Sequence, residues 1–302
     1  MKRHAKADKN RLSASLALLG ISLPLYMYLE AHWVRVRHMT LPIRGLPQPW
    51  SGITVLHLSD VHAGAFALNL RVLDKVVCWA EQARLDLVLL TGDILTGSKQ
   101  DEACLALLGR LKPSLGMFAV TGNHEYGITA GFSGRPRDTR ALWRRAGITL
   151  LDDTCMCLPP RSGKTLMLCG ADYLSDGYPL LEHPLLTGVR SQAQIPAQNH
   201  SHLDSGRNHF FPILLIHRPP AGDSPLAQLF PLGFAGHTHG GQLRFPTQSG
   251  LRPLHMPRDA YLSGVYEWGA GKLVVSAGLG VSFLPFRLFS RPEATLWRLT
   301  SI

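Results

Sequence analysis

The chain has 302 residues, of which 45% are hydrophobic and 17% are charged. This composition supports a full-sized folded core, so it excludes a disordered chain, a collagen-like repeat and a small disulfide-stapled protein. Lysine and arginine number 31 against 21 aspartate and glutamate, which gives a net charge of +10. The excess predicts an anionic partner, but the charge alone leaves nucleic acid, a membrane surface and a phosphorylated substrate open.

The N-terminus combines a basic tail, residues 1–11, with an uncharged run, residues 12–29. A helix over this run would extend about 27 Å, close to the ~30 Å hydrocarbon core of a bilayer. A cleaved signal peptide, an uncleaved membrane anchor and a helix packed on the domain are the competing interpretations. No small-residue cleavage site follows the run, which favours an uncleaved transmembrane anchor.

Basic residues are more numerous before the run than after it, where Arg35, Arg37 and Arg44 follow. This bias predicts that the N-terminus lies inside and the main domain on the outer face of the membrane. We expect residues 30–52 to form a linker and a leading strand, and residues 53–302 to form the main domain.

The five cysteines are odd in number and scattered, so they predict no disulfide framework. The pair Cys155 and Cys157 is compatible with a metal ligand or with one disulfide partner. Thiols beside a strand are the simpler expectation.

In the first half of the main domain, short β-rich runs alternate with amphipathic stretches. Strands are predicted at 53–58, 86–90 and 117–120, and helices at 69–83 and 101–111. In the first helix, Leu73, Val76, Val77 and Ala80 fall on one face. Strands separated by helices predict right-handed βαβ units, a largely parallel sheet and an α/β fold.

The second half is richer in strands, predicted at 165–170, 212–216, 232–235, 272–276 and 294–299. Residues 188–209 are polar and without periodicity, which predicts a surface loop. Two sheets packed on each other, with helices outside, would accommodate both halves.

Each of the first three strands ends in a polar motif. These motifs are Asp60-Val61-His62, Gly92-Asp93 and Gly122-Asn123-His124-Glu125. The carboxyl ends of parallel strands meet at one edge of a sheet, where α/β folds bind their ligands. Gly92 and Gly122 would let the backbone turn sharply there.

The second half adds histidines at strand ends. His217 ends one predicted strand, and His237 and His239 follow the next. Residues at i and i+2 face the same side of an extended chain, so His237 and His239 can converge on one site. Imidazole, carboxylate and amide oxygen form a donor set that borderline divalent cations accept. Seven donors are too many for one ion and predict two ions that share a carboxylate.

The motif order D-x-H, G-D, G-N-H-E, a lone histidine and G-H-x-H resembles the calcineurin-like metallophosphoesterase superfamily. The motifs L-S-D-V-H, H-R-P, G-H-T-H-G-G-Q, L-S-G-V-Y, G-L-G and R-P-E are similar to a membrane-associated bacterial branch of phosphodiesterases. The resemblance covers roughly residues 53–299. It implies a four-layer αββα fold, with two mixed sheets between helices, and a location at the bacterial cytoplasmic membrane.

The resemblance also implies a role for each matched donor. One ion would bind Asp60, His62, Asp93 and His239, and the other Asp93, Asn123, His217 and His237, with Asp93 shared. Manganese is the expected metal, with iron, zinc, cobalt and nickel as alternatives. A hydroxide held between the ions would attack phosphorus. His124 would be the general acid or stabilise the developing charge. Glu125 would either orient His124 or its loop, or cap the following helix or turn.

These inferences predict a metal-dependent phosphodiesterase for a membrane-linked or envelope-linked phosphodiester or pyrophosphate. One alternative is the hydrolase of UDP-2,3-diacylglucosamine in lipid A biosynthesis, which would need the domain on the cytoplasmic face. An alternative of another class is an inert, membrane-tethered metal-binding scaffold, whose expected signs are lost ligands or a missing His124. Nucleic acid is not an expected partner, because no basic groove rich in stacking side chains is visible.

Overall fold

The computed structural model describes residues 22–129, 132–133, 139–186, 210–254 and 261–302. Its helices are α1 (described from residue 22 to residue 32), α2 (Ala67–Ala80), α3 (Asp101–Leu108), α4 (Arg140–Arg145), α5 (described over residues 184–186) and α6 (Leu226–Leu229). Its strands are β1 (Arg35–Ile43), β2 (Thr54–Leu58), β3 (Leu87–Thr91), β4 (Met117–Val120), β5 (Ile128–Thr129), β6 (Phe132–Ser133), β7 (Ile148–Leu150), β8 (Thr154–Cys157), β9 (Thr165–Gly170), β10 (Phe210–Leu215), β11 (Leu232–Ala235), β12 (Arg244–Thr247), β13 (Gly250–Pro253), β14 (Gly264–Trp268), β15 (Gly271–Val275) and β16 (Glu293–Ser301).

Two mixed sheets dominate the described part of the chain. The first has the strand order β1-β16-β2-β3-β4-β7, in which only the β16–β2 pairing is antiparallel. The second has the order β14-β15-β11-β10-β9-β8, with parallel pairing in the middle and antiparallel pairing at both edges. The prediction of an α/β fold with mixed sheets is confirmed.

The side chains of β3 show how the first sheet packs. Leu87 and Leu89 point into the apolar cluster shared with the second sheet. Val88 and Leu90 belong instead to the cluster that contains α2 and α3. Successive side chains of a strand face opposite sides, so a strand covered on both sides is apolar throughout, as β3 is.

Strand β9 plays the same part in the second sheet. Leu166 and Leu168 face the first sheet, whereas Met167 faces the cluster that contains α6. The two sheets therefore pack face to face, and helices cover the outer side of each.

The described part of α1 packs against the main domain. The buried Glu30 carboxylate accepts hydrogen bonds from the backbone N–H groups of Phe289, at 3.0 Å, and Ser290, at 2.7 Å. The segment predicted as a linker therefore begins with the last turn of α1. The remainder contains the predicted leading strand, β1, which pairs with β16.

Two of the sequence predictions fall partly or wholly outside the described residues. The predicted anchor spans residues 12–29, of which only 22–29 are described, as part of α1. Within the described ranges, no helix combines the length and apolar character needed to cross a bilayer. The predicted surface loop, residues 188–209, lies outside the described residues.

The expectation of thiols was wrong for one cysteine of the 155–157 pair. Cys155 forms a disulfide with Cys169, whereas Cys157 is an exposed thiol. The two bonded residues face each other across the antiparallel β8–β9 pair. This register depends on how two strands align, which cysteine spacing along the chain does not reveal.

Candidate metal centre

The predicted donors gather where five parallel strands end. Strands β2, β3 and β4 of the first sheet and β10 and β11 of the second bring their carboxyl ends to one place. The donors that follow these strands are Asp60, His62, Asp93, Asn123, His217, His237 and His239. Their ligand atoms form two groups with Asp93 between them, and His62 and Asp93 also form a third group with His124.

The first group consists of Asp60, His62 and His239, whose ligand atoms lie within 4.8 Å of one another. His62 Nε2 is 2.9 Å from His239 Nε2, and His239 Nε2 is 3.5 Å from Asp60 Oδ1. These three side chains are buried. Buried nitrogen and oxygen donors this close together suit a shared cation.

The second group consists of Asp93, His217 and His237, again with ligand atoms within 4.8 Å of one another. His237 Nδ1 is 3.0 Å from His217 Nε2, which is 3.4 Å from Asp93 Oδ2. The same Asp93 oxygen is 3.6 Å from His62 Nε2 of the first group. Asp93 therefore lies between the two groups of donors.

Asn123 completes the set and supports the fit to metal. Its Nδ2 donates a 2.7 Å hydrogen bond to the Ile128 carbonyl. Its Oδ1 is buried and has no hydrogen-bond partner among the described residues. A buried oxygen without a partner is costly unless something else binds it. The residues present therefore fit two divalent cations, although their individual roles as ligands stay predictions.

The histidines are held mainly in the neutral form that can ligate metal. Burial lowers the pKa of His62 to about 3 and the pKa of His237 to about 4. Burial also opposes the charged form of His217, but the Asp93 carboxylate beside it outweighs this effect and raises the pKa of His217 to about 9. The Asp93 carboxylate thus favours positive charge at this position.

Strained backbone accompanies the donors. Asp60, His62, Asp93, His237 and His239 all have positive φ angles, between 49° and 71°. Few residues other than glycine adopt this region, and such strain concentrates at functional sites, where the surrounding structure enforces it. The side chains are thus aimed by the fold rather than by local preference.

His124 borders the open side of this cluster. Its backbone N–H donates to Asp93 Oδ1 at 2.8 Å, and its Nε2 lies 3.9 Å from Asp93 Oδ2. Burial lowers the pKa of the ring, which still keeps 14% of its side chain exposed. The structure thus places this predicted catalytic residue beside the donors and in contact with solvent.

Glu125 positions backbone groups both in its own loop and in the turn that carries Asp93. Its buried carboxylate accepts hydrogen bonds from four backbone N–H groups. These belong to Asp93 at 3.0 Å, Ile94 at 2.8 Å, Leu95 at 2.9 Å and Gly122 at 2.8 Å. Burial, together with the nearby Asp93 charge, raises the pKa of Glu125 to about 7. Glu125 therefore ties the end of β4 to the turn that carries Asp93.

The two predicted glycines are required for different reasons. Gly92 has a φ of +83°, and an added Cβ would lie 2.5 Å from His217 Nδ1. Gly122 does not need positive φ, but its Cβ would lie 2.3 Å from Asp93 Oδ1. The sharp turn is thus confirmed at Gly92. At Gly122, glycine is required because Asp93 leaves no room for a side chain.

Two supporting residues were missed by the sequence analysis. Asn69, in the first turn of α2, donates to the His62 carbonyl at 2.9 Å. The buried Arg287 guanidinium donates to five backbone carbonyls, among them His239 at 3.3 Å and Gly278 at 3.1 Å. Neither belongs to a motif with recognised chemistry, so only the tertiary structure reveals them.

A cleft of about 420 Å³ opens over the donors. Its polar side is formed by the metal-centre residues, including Asp93, Asn123 and His124, with Tyr173 nearby. The lining also includes large apolar residues, among them Phe283 and Leu284. The cleft therefore combines a centre for an anionic group with a surface for an apolar one.

Comparison with known proteins agrees with this geometry. Residues 53–241 match the family described as calcineurin-like phosphoesterase. The metallophosphoesterase YkuE of Bacillus subtilis is 27% identical over 297 residues, covering 96% of this chain and 94% of YkuE. The phosphodiesterase YaeI of Escherichia coli is 27% identical over 296 residues, covering 95% of this chain and 97% of YaeI.

A longer relative comes from an animal. The "transmembrane protein with metallophosphoesterase domain" of Danio rerio is 29% identical over 274 residues, covering 86% of this chain and 56% of that protein. The family match spans more than half of the chain and includes all the motifs that supply the donors. The chain therefore belongs to the calcineurin-like phosphoesterase family, and the predicted enzyme class, a metal-dependent phosphoester hydrolase, is confirmed.

Proposed function

We propose that this chain is a phosphodiesterase that uses two divalent metal ions to hydrolyse a membrane-linked or envelope-linked phosphodiester or pyrophosphate. The observation that carries the proposal is the position of Asp93 between two groups of buried donors. The name phosphodiesterase borne by YaeI supports a diester rather than a monoester.

The side chains around the cleft suggest how the reaction proceeds. When bound, two divalent ions would neutralise phosphate charge and lower the pKa of a water molecule. His124 is the residue placed to donate a proton to the leaving oxygen, because its ring borders the cleft and keeps contact with solvent. The hydrogen bond from its backbone N–H to Asp93 holds His124 beside the donors.

Manganese is the metal we propose, as the family resemblance suggested. The donor set accepts iron, zinc, cobalt and nickel as well. Metal analysis of the chain as purified, followed by removal and reconstitution with each ion in turn, distinguishes them.

The membrane link rests on the N-terminus and on one relative. Residues 12–29 carry no formal charge and follow a basic tail. The end of this run lies in α1, which Glu30 joins to the main domain. The Danio rerio relative is named as a transmembrane protein. An anchor at the N-terminus would hold the site near a bilayer, where its substrates would be phosphoesters of lipids or of the envelope.

The disulfide between Cys155 and Cys169 supports the outer face as the location. Disulfides persist in oxidising compartments and are rare in the cytosol. The disulfide agrees with the charge bias around the uncharged run. It argues against the alternative UDP-2,3-diacylglucosamine hydrolase, whose substrate would require the cytoplasmic face.

The inert scaffold is the remaining alternative, and the complete set of donors beside His124 argues against it. The test is turnover by the metal-reconstituted chain of bis-p-nitrophenyl phosphate, p-nitrophenyl phosphate and a UDP-linked acyl sugar. The proposal predicts that the first compound is hydrolysed fastest. Hydrolysis of the monoester alone would contradict a diesterase, and hydrolysis of none would favour the scaffold.

A further inference from the structure

The apolar side of the cleft is formed by a loop with unusual exposure. In the 282–286 loop, 67% of Phe283 and 48% of Leu284 are accessible to solvent. Both residues line the same cleft as the metal-centre histidines. Large apolar side chains grouped beside a reactive centre mark binding surfaces, whereas isolated exposed ones need no explanation.

The loop is held in place rather than left to move. The Gln242 side chain donates from Nε2 to the carbonyls of Ser282, at 2.9 Å, Leu284, at 3.1 Å, and Phe286, at 3.2 Å. Its Oε1 accepts a hydrogen bond from the Ser282 N–H at 3.3 Å. Gln242 comes three residues after His239, so the metal centre and the apolar loop are positioned by one segment.

The backbone of the loop points to the same conclusion. Phe283 has a φ of +57°, in the left-handed region that bulky residues rarely adopt. This conformation is retained although it leaves the phenyl ring in water. Strain of this kind at a cleft is a sign of function.

The neighbouring surface indicates where the ligand would come from. The backbone N–H of Arg287 donates to the backbone carbonyl of Met27, in α1, at 3.0 Å. On α1, Leu25 and Leu29 are 55% and 56% exposed. The end of the uncharged N-terminal run and the apolar loop are therefore adjacent on the molecule.

From these observations we propose that the 282–286 loop binds the alkyl chain of a lipid phosphodiester whose phosphate is held at the metal centre. This inference rests on the proposed function and narrows its substrate class. A phosphate at the donors would have its apolar substituent directed along Phe283 and Leu284, where contact with hydrocarbon removes both side chains from water.

The test measures binding as well as turnover. Ethylphosphonate and octylphosphonate are titrated calorimetrically into the manganese-loaded full chain, each below its micellar concentration. Burial of only two of the six additional methylenes would raise affinity about tenfold. The double variant Phe283→Ser, Leu284→Ser is expected to bind the two compounds with equal affinity. Met156→Ser, which changes an exposed apolar residue on β8, is the matched control and should keep the preference.

Equal affinities in the unmodified chain would overturn the proposal, and so would a preference that the folded double variant retains. Thermal unfolding of each variant establishes that it is folded. Turnover of bis-p-nitrophenyl phosphate reports separately on the proposed function. A chain-length preference that depends on the loop, without turnover of this diester, would refute the proposed phosphodiesterase and still support the alkyl-binding loop.

Discussion

The carboxylate of Glu125 accepts a hydrogen bond from the backbone N–H of Asp93 at 3.0 Å. Three further backbone N–H groups donate to the same carboxylate, so one buried side chain fixes the turn that carries the central donor. The motif G-N-H-E thus contributes a donor, a candidate acid and a support within three consecutive residues, Asn123, His124 and Glu125.

The first prediction concerns Glu125→Gln. The amide replaces one acceptor oxygen by a donor group, which would face backbone N–H groups and leave them unsatisfied. We expect the free energy of unfolding to fall by about 3 kcal/mol and metal affinity to fall at least tenfold. Urea unfolding and metal titration measure the two effects. The exposed Glu102→Gln is the control, and equal behaviour of the two variants would contradict a supporting role for Glu125.

The second prediction compares two glycines with positive φ. Gly92→Ala places a Cβ 2.5 Å from His217 Nδ1, whereas at Gly147 nothing lies within 4 Å of an added Cβ. Gly147→Ala should cost only the backbone strain, about 1 kcal/mol. Gly92→Ala should destabilise the chain more and lower metal affinity, because it displaces His217. Equal loss of stability with unchanged metal binding would show that the close approach at Gly92 is unimportant.

The third prediction concerns the disulfide. Cys155 and Cys169 are 14 residues apart, and closing a loop of this size stabilises a protein by about 3 kcal/mol. Replacing both cysteines by serine should therefore lower the unfolding free energy by about that amount. Cys157→Ser changes an exposed thiol and should have little effect. Mass spectrometry after alkylation without reduction should find Cys157 modified and Cys155 and Cys169 protected, and alkylation of all three would contradict the bond.

The fourth prediction concerns His124→Asn. The ring borders the cleft beside His62 and Asp93, and six donors besides Asp93 remain in the variant, so metal content should persist. Loss of the proton donor should lower kcat on bis-p-nitrophenyl phosphate by about a hundredfold to ten-thousandfold. His38→Asn, an exposed histidine on β1, serves as control. Unchanged turnover would remove His124 from the mechanism.

Much of the fold could be predicted from local pattern. Strands β4, β9 and β11 have the predicted bounds, because each is a short apolar run between clear breaks. Strands β5, β6 and β7 are not predicted from the sequence, nor are β8, β12, β13 and β14. In β8 and β12 all but one residue is exposed, and burial in β13 does not alternate, so the sequence carries little periodic signal there.

The donors could be predicted because their residue types are those that bind metal, and because each follows a strand whose carboxyl end lies at the same edge of the fold. What sequence could not show is the support around them. The roles of Glu125, Asn69 and Arg287 depend on backbone groups that come close only in the folded chain. The same holds for Gln242, whose amide bonds to a loop about 40 residues further on.

The central claim is that two ions share Asp93, and metal stoichiometry measured together with the variant Asp93→Asn tests it most directly. The reconstituted chain should bind two ions, whereas Asp93→Asn should lose occupancy in both positions, because Asp93 Oδ2 lies 3.6 Å from His62 Nε2 and 3.4 Å from His217 Nε2. Asp223→Asn, an exposed residue outside the cleft, should still bind two. One ion in the unmodified chain, or two in Asp93→Asn, would contradict the account.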